Sequence, residues 1–132
     1  MPEDRRNIIL VVENNDMMIR FYKTLFDDKY DIIDAKNVRD TIYAYSKSKN
    51  IKLIILDYNL GEENFDKILD FVKTNFEESK KIIVTGYHDI DYLKEIYKND
   101  VDDIIPKPIG FSFKQKVIEM IGDSGLENKL FH

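Results

Sequence analysis

Four apolar runs in this chain end in polar residues of types that can handle a phosphoryl group. Glu13 and Asn14 follow Ile8-Ile9-Leu10-Val11-Val12, Asp57 follows Leu53-Ile54-Ile55-Leu56, Thr85 follows Ile82-Ile83-Val84, and Lys107 follows Ile104-Ile105-Pro106. If the runs are parallel strands of one sheet, their carboxyl ends converge on a single crevice. An acid, a carboxylate nucleophile, a hydroxyl and an ammonium would meet there. A carboxylate that attacks phosphorus must be held in line while cations neutralise the charge spread over the phosphoryl oxygens. Each residue alone has an ordinary explanation: Asp57 is a loop acid, Thr85 a β-branched strand residue, Lys107 a surface lysine, and Glu13-Asn14 a turn. Placement at four corresponding strand ends is what makes them a site. Lys107 also lies between Pro106 and Pro108, which restrict its backbone and suit a positioned charge.

The elements that must hold these residues alternate along the chain. Strand-like runs recur about every 20 to 30 residues, each followed by a segment of helical period, the pattern of a parallel sheet covered on both faces. Asn15 or Asp16 can cap a first helix with Met18, Phe21, Tyr22 and Leu25 on its buried stripe. Tyr30 to Ile33 reads as a second strand, and Asn37 precedes a helix from about Val38 to Ser48 that presents Val38, Ile42 and Tyr45. Leu53 to Leu56 has no polar residue and reads as a buried central strand; the helix after it, about Glu63 to Phe76, carries Phe65, Ile68, Leu69, Val72 and Phe76 on one stripe. Ile82 to Thr85 is a fourth strand, before a less regular helix from about Asp89 to Asn99 with Ile90, Leu93 and Tyr97. A short fifth strand around Asp103 to Ile105 meets Pro106, which places it at an edge. The last helix, about Phe111 to Ile121, ends at Gly122. Residues 124–132 carry no core pattern, although Leu126, Leu130 and Phe131 offer apolar surface.

The composition excludes several functions. At 132 residues the chain has the length of one domain, which buries roughly two thirds of its unfolded surface without staples. It has no cysteine and two histidines, so a disulfide framework, a thiolate zinc site and a histidine-based metal site all lack material. A net charge of −5 argues against wholesale nucleic-acid binding, which needs clustered Lys and Arg. No stretch has the length of a membrane span and the amino terminus lacks a signal-peptide run, so a cytoplasmic, soluble protein is expected. The pairs Lys80-Lys81 and Asp102-Asp103 read as surface solvation, and His88 and Tyr87 as exposed loop residues.

The strand ends Val-Val-Glu-Asn, Leu-Asp-Tyr-Asn-Leu, Ile-Val-Thr-Gly and Pro-Lys-Pro, in this order and spacing, resemble those of the receiver domain of two-component response regulators, over about residues 7–121. The resemblance implies an α/β fold: a doubly wound five-stranded parallel sheet of order 2-1-3-4-5 with five helices, two on one face and three on the other, in a flavodoxin-like three-layer sandwich. It implies one domain over 1–132, with a core of about 7–122 and a tail of 123–132. By position Asp57 resembles the phosphoacceptor, Thr85 the switch hydroxyl and Lys107 the lysine beside the phosphoryl group. Glu13, Asn14, Asp57 and the backbone carbonyl of Asn59 would hold Mg²⁺. Lys107-Pro108 would be cis.

Three departures bear on function. Asn14 stands where the family usually has aspartate, so the metal site loses one negative charge and weaker Mg²⁺ binding is expected. Asp16 could restore that charge, but helix capping is its expected role. Ile104 stands where the family often carries Tyr or Phe, so the usual coupling of hydroxyl to aromatic is absent or rerouted, and Gly61-Glu62 replaces the common Pro-Gly. The reading that results is a stand-alone receiver that takes a phosphoryl group on Asp57 from a histidine kinase or phosphotransfer protein and switches partner binding, a signalling protein more than an enzyme. Its partner or homodimer face would be the fourth helix, fifth strand and fifth helix, with Tyr92, Ile96, Tyr97, Ile104 and Phe111 as candidates. The alternative is a pseudo-receiver, a phosphorylation-independent interaction module. An aspartyl hydrolase of the haloacid-dehalogenase kind needs a second acid where Asn59 stands, and a nucleotide or flavin site lacks its glycine-rich phosphate loop.

Overall fold

The computed structural model describes residues 6–48, 50–88 and 90–122, so the expected tail at 123–132 lies outside the described residues. Its elements run β1 (Ile8–Val12), α1 (Asp16–Phe26), β2 (Asp31–Ala35), α2 (Val38–Lys47), β3 (Ile51–Asp57), a 3₁₀ turn (Tyr58–Leu60), α3 (Glu62–Asn75), β4 (Lys80–Thr85), α4 (Ile90–Tyr97), β5 (Asp103–Pro106) and α5 (Phe111–Ile121). The strands form one parallel sheet in the order β2-β1-β3-β4-β5, as expected. β1, β3 and β4 are central, and their apolar runs are buried because helices cover both faces. β5 pairs only with β4, so Pro106 costs the sheet no interior hydrogen bond.

Alternation along the strands sorts side chains into two cores. Leu10, Val12, Ile54, Leu56 and Ile83 pack under α2, α3 and α4 with Phe65, Ile68 and Leu93. Ile9, Val11, Leu53, Ile55, Ile82 and Val84 pack under α1 and α5, with the rings of Tyr22, Phe26 and Phe113 in contact. The two-plus-three division of helices follows from this alternation.

Several helix faces differ from the reading of the sequence. Asn15, not Asp16, caps α1: its side chain accepts the Met18 N–H, while Asp16 opens the helix and pairs with Lys36. α1 buries Ile19, Tyr22 and Phe26, with Met18 and Leu25 half-buried and Phe21 exposed. α2 turns Thr41 and Ala44 inward and leaves Ile42 and Tyr45 partly exposed, with the Tyr45 ring edge-on against Phe71 and Phe76. Small residues let α2 approach closely, and the Thr41 hydroxyl satisfies itself on the Asn37 carbonyl at 2.9 Å. The α3 stripe is buried as expected. α5 stops at Gly122, whose φ of +81° is the left-handed C-cap that glycine adopts without penalty.

Lys81 is the clearest correction. It is not a surface lysine: its side chain is buried, and its ammonium donates to the carbonyls of Phe76 and Ser79 at 2.7 and 2.8 Å, closing the turn after α3. Burial lowers its pKa. The neighbouring acids are also structural, since Asp102 accepts the Lys81 backbone N–H and Asp103 accepts that of Ile104 while pairing with Lys116. Both acids anchor the edge strand to its surroundings.

Candidate functional site

Register places the singled-out residues together at the carboxyl edge of the sheet. Val12 is the strand partner of Leu56, which sets Glu13 opposite Asp57, and Asp57 pairs with Val84, one residue before Thr85. Thr85 pairs with Pro106, and the Lys107 N–H donates to the Thr85 carbonyl at 2.7 Å. The peptide Lys107-Pro108 is cis, as the resemblance implies.

Asp57 is the centre of the arrangement and is buried. Its Oδ1 accepts the Lys107 ammonium at 3.2 Å and the Asn59 N–H at 3.2 Å, so both charge and a backbone dipole hold the carboxylate. Glu13 is buried beside it, and two carboxyl groups so close disfavour each other's ionisation. The Glu13 pKa accordingly rises from 4.5 to about 7, through burial first and then the adjacent Asp57 carboxylate and its charge, against the pull of the Asn15 N–H and Lys107. Glu13 Oε2 accepts the Asn15 N–H at 3.1 Å, whereas Oε1 is buried without a hydrogen-bond partner.

The remaining residues frame this centre. Asn14 lies exposed, and Asn59 is exposed on the 3₁₀ turn, which closes at Gly61 with φ of +97°, a value that favours glycine. Thr85 is fully buried and its Oγ1 accepts the Tyr87 N–H at 2.9 Å. His88 is exposed, as the sequence suggested. Among the described residues no three His, Cys, Asp or Glu side chains converge as a ready metal cluster; the donors here are two carboxylates with amide and carbonyl oxygens near them.

Two features were not read from the sequence. Burial, and then the charges of Glu13 and Asp57, raise the pKa of Tyr22 of α1. Its helical spacing marks it only as core. Tyr87 is half exposed but not a bare loop residue, because its ring meets Tyr58 and Tyr92. Of the five residues proposed for a partner face, Tyr97 and Ile104 belong to the core, while Tyr92, Ile96 and Phe111 are exposed. An apolar hollow lined by Met18, Phe21, Pro108 and Ile109 adjoins Lys107.

The carboxyl edge of this doubly wound parallel sheet thus gathers an aspartate, a lysine, a second acid and a threonine. Residues 9–119 match the response regulator receiver domain family, and the chain belongs to that family. It is similar in structure to the signal receiver domain of a putative Luxo repressor protein from Vibrio parahaemolyticus, at 28% identity with a TM-score of 0.76, over 95% of this chain and 97% of that one. A response regulator from Thermotoga maritima shares the fold at 23% identity with a TM-score of 0.77, over 89% of this chain and 98% of that one. A CheY-like receiver domain protein from Methanospirillum hungatei does so at 19% identity and 0.77, over 89% and 95%. The comparison with curated proteins gave no match. Receiver domains are signalling modules of two-component systems, which work with kinases or phosphotransfer proteins and generally bind Mg²⁺. Among the described residues no helix is long and apolar enough to cross a membrane.

Proposed function

We propose that this chain is a phosphorylated switch in which Asp57 accepts a phosphoryl group from a phosphohistidine-bearing kinase or phosphotransfer protein. The observation that carries this reading is the buried Asp57 carboxylate held by the Lys107 ammonium at 3.2 Å, with the buried Glu13 carboxyl beside it. An Asp57 oxygen attacks phosphorus, the bond from phosphorus to the donor nitrogen breaks, and the donor imidazole leaves with the electron pair. The product is an acyl phosphate on Asp57. Lys107 then lies beside the phosphoryl oxygens and offsets their charge, and the Thr85 hydroxyl, one residue past the strand neighbour of Asp57, serves as a hydrogen-bond donor to them.

The donor set fits Mg²⁺. Glu13 has an unpartnered buried oxygen, and burial beside Asp57 raises its pKa; a divalent cation would supply the positive charge that lets both carboxylates ionise there. Glu13, Asp57 and the Asn59 carbonyl, with Asn14 at the rim, would hold the ion, whose charge draws nucleophile and donor together. Asn14 brings no formal charge to this set, so Asn14→Asp is expected to tighten Mg²⁺ binding. The apolar hollow beside Lys107 supports docking of the phosphodonor there, and exposed Tyr92, Ile96 and Phe111 support a downstream partner or homodimer on α4, β5 and α5. Cytoplasmic action completes the proposal.

Intact mass after incubation with acetyl phosphate tests it. A gain of one phosphoryl mass that requires Mg²⁺ and is lost in Asp57→Asn is the expected result. Folded protein that never gains the mass favours the pseudo-receiver, a phosphorylation-independent interaction module, which the missing charge at Asn14 and the buried aliphatic Ile104 also favour.

A further inference from the structure

The loops after β3 and β4 touch through aromatic rings, and that contact bears on Thr85. Tyr58 directly follows Asp57, and its ring meets the Tyr87 ring edge-on, with centroids 6.2 Å apart and an interplanar angle of 71°. Tyr87 in turn lies 6.5 Å from Tyr92 on α4. Tyr58 is itself held from below by Phe65 at 5.1 Å and Tyr97 at 6.2 Å, both buried. The Tyr87 backbone N–H, two residues from Thr85, donates to the Thr85 hydroxyl oxygen at 2.9 Å. That bond occupies a lone pair of Oγ1 and does not spend the hydroxyl's own hydrogen. Gly86, between them, passes over the Asn59 side chain, which a Cβ there would meet at 3.8 Å.

We infer that Tyr58 and Tyr87 are positioning residues: their ring contact fixes the Tyr87 amide, which holds the Thr85 hydroxyl with its hydrogen directed away from the amide and available to a phosphoryl group on Asp57. This inference rests on Asp57 being the acceptor. The same stack runs from the residue beside Asp57 to Tyr92 on the exposed face of α4, so a turn of the hydroxyl releases the Tyr87 amide and the ring that α4 leans on. An edge contact between rings is worth about 0.5–1.5 kcal/mol beyond burial, so its loss should change a rate by about two- to tenfold.

The test has two readings on the full chain. Amide hydrogen exchange by NMR, without phosphodonor, should show the Tyr87 amide exchanging about two- to tenfold faster in Tyr58→Leu and unchanged in Tyr58→Phe, with the interior amides of Ile54 and Ile83 still protected. Tyr92→Leu, at the exposed end of the stack, should speed the same amide without touching the core. Phosphoryl gain from acetyl phosphate should slow in Tyr58→Leu, recover in Tyr58→Phe, and show no further slowing when Tyr58→Leu is added to Thr85→Val. An unchanged Tyr87 amide in the folded leucine variants, or equal slowing with and without the Thr85 hydroxyl, would overturn the inference. Wild-type protein that takes up no phosphoryl group contradicts the function proposed above, and the exchange reading still decides the clamp.

Discussion

Asp57 draws its chemistry from three neighbours that act by different means. Lys107 supplies charge, the Asn59 amide supplies a fixed dipole, and Glu13 supplies a second carboxyl that cannot ionise beside it without cost. Replacing Lys107 by Met should slow phosphoryl gain roughly hundredfold, the scale of losing one preorganised charge-stabilising donor, as a time course of intact mass would show. Glu13 makes the metal-free protein sensitive to pH. Its folded pKa of about 7 lies above the ordinary 4.5, so the folded state holds the proton more tightly than the unfolded chain. Stability is therefore fully present below about pH 4.5 and falls as pH rises through 7, by on the order of 1–3 kcal/mol. Urea unfolding at pH 5 and pH 8 should show that fall in chelator-treated wild type and not in Glu13→Gln; an equal fall in both would assign it to other groups. At this scale the sequence was most legible, because a polar residue ending an apolar strand stands out. What it hid was Lys81, since a lysine buried on two carbonyls of the turn just before it looks like any charged residue in a surface run.

The elements were legible where burial depends on large side chains and less so where it depends on small ones. The α3 stripe of Phe65, Ile68, Leu69, Val72 and Phe76 is unmistakable, and each residue is buried. α2 shows the limit: its period is clear, but apolar mass favoured Ile42 and Tyr45, whereas close approach to the sheet selects Thr41 and Ala44. This has a measurable consequence. Ile42→Ser should change stability by no more than about 0.5 kcal/mol, as at other surface positions, whereas Thr41→Leu should cost about 1–3 kcal/mol through overpacking. Chemical denaturation of the two variants distinguishes this face from the one that apolar content alone would choose. The strand order, by contrast, is not encoded in periodicity. It came from the family resemblance, and the observed β2-β1-β3-β4-β5 order agrees.

Across the whole molecule, two cores on opposite faces of one sheet hold the strand ends that carry Asp57 and Thr85, while the segments just beyond the strands carry Glu13, Asn14, Asn59 and Lys107. The buried face of α4 joins the larger core through Leu93 and Tyr97, and its outer face exposes Tyr92 and Ile96. A charge added at Asp57 therefore has a short route to the surface through the loop after β4. A phosphoryl group there would also add negative charge to a chain already at −5, so Lys107 and a bound cation are the local means of holding it. The central claim is that the acceptor is Asp57 and no other side chain. Borohydride reduction after treatment with acetyl phosphate and Mg²⁺ converts an aspartyl phosphate to homoserine, which peptide mass spectrometry places in the sequence. Homoserine is expected at position 57 alone; homoserine elsewhere, or a phosphoryl adduct that resists reduction, would rule out Asp57 as the sole acceptor.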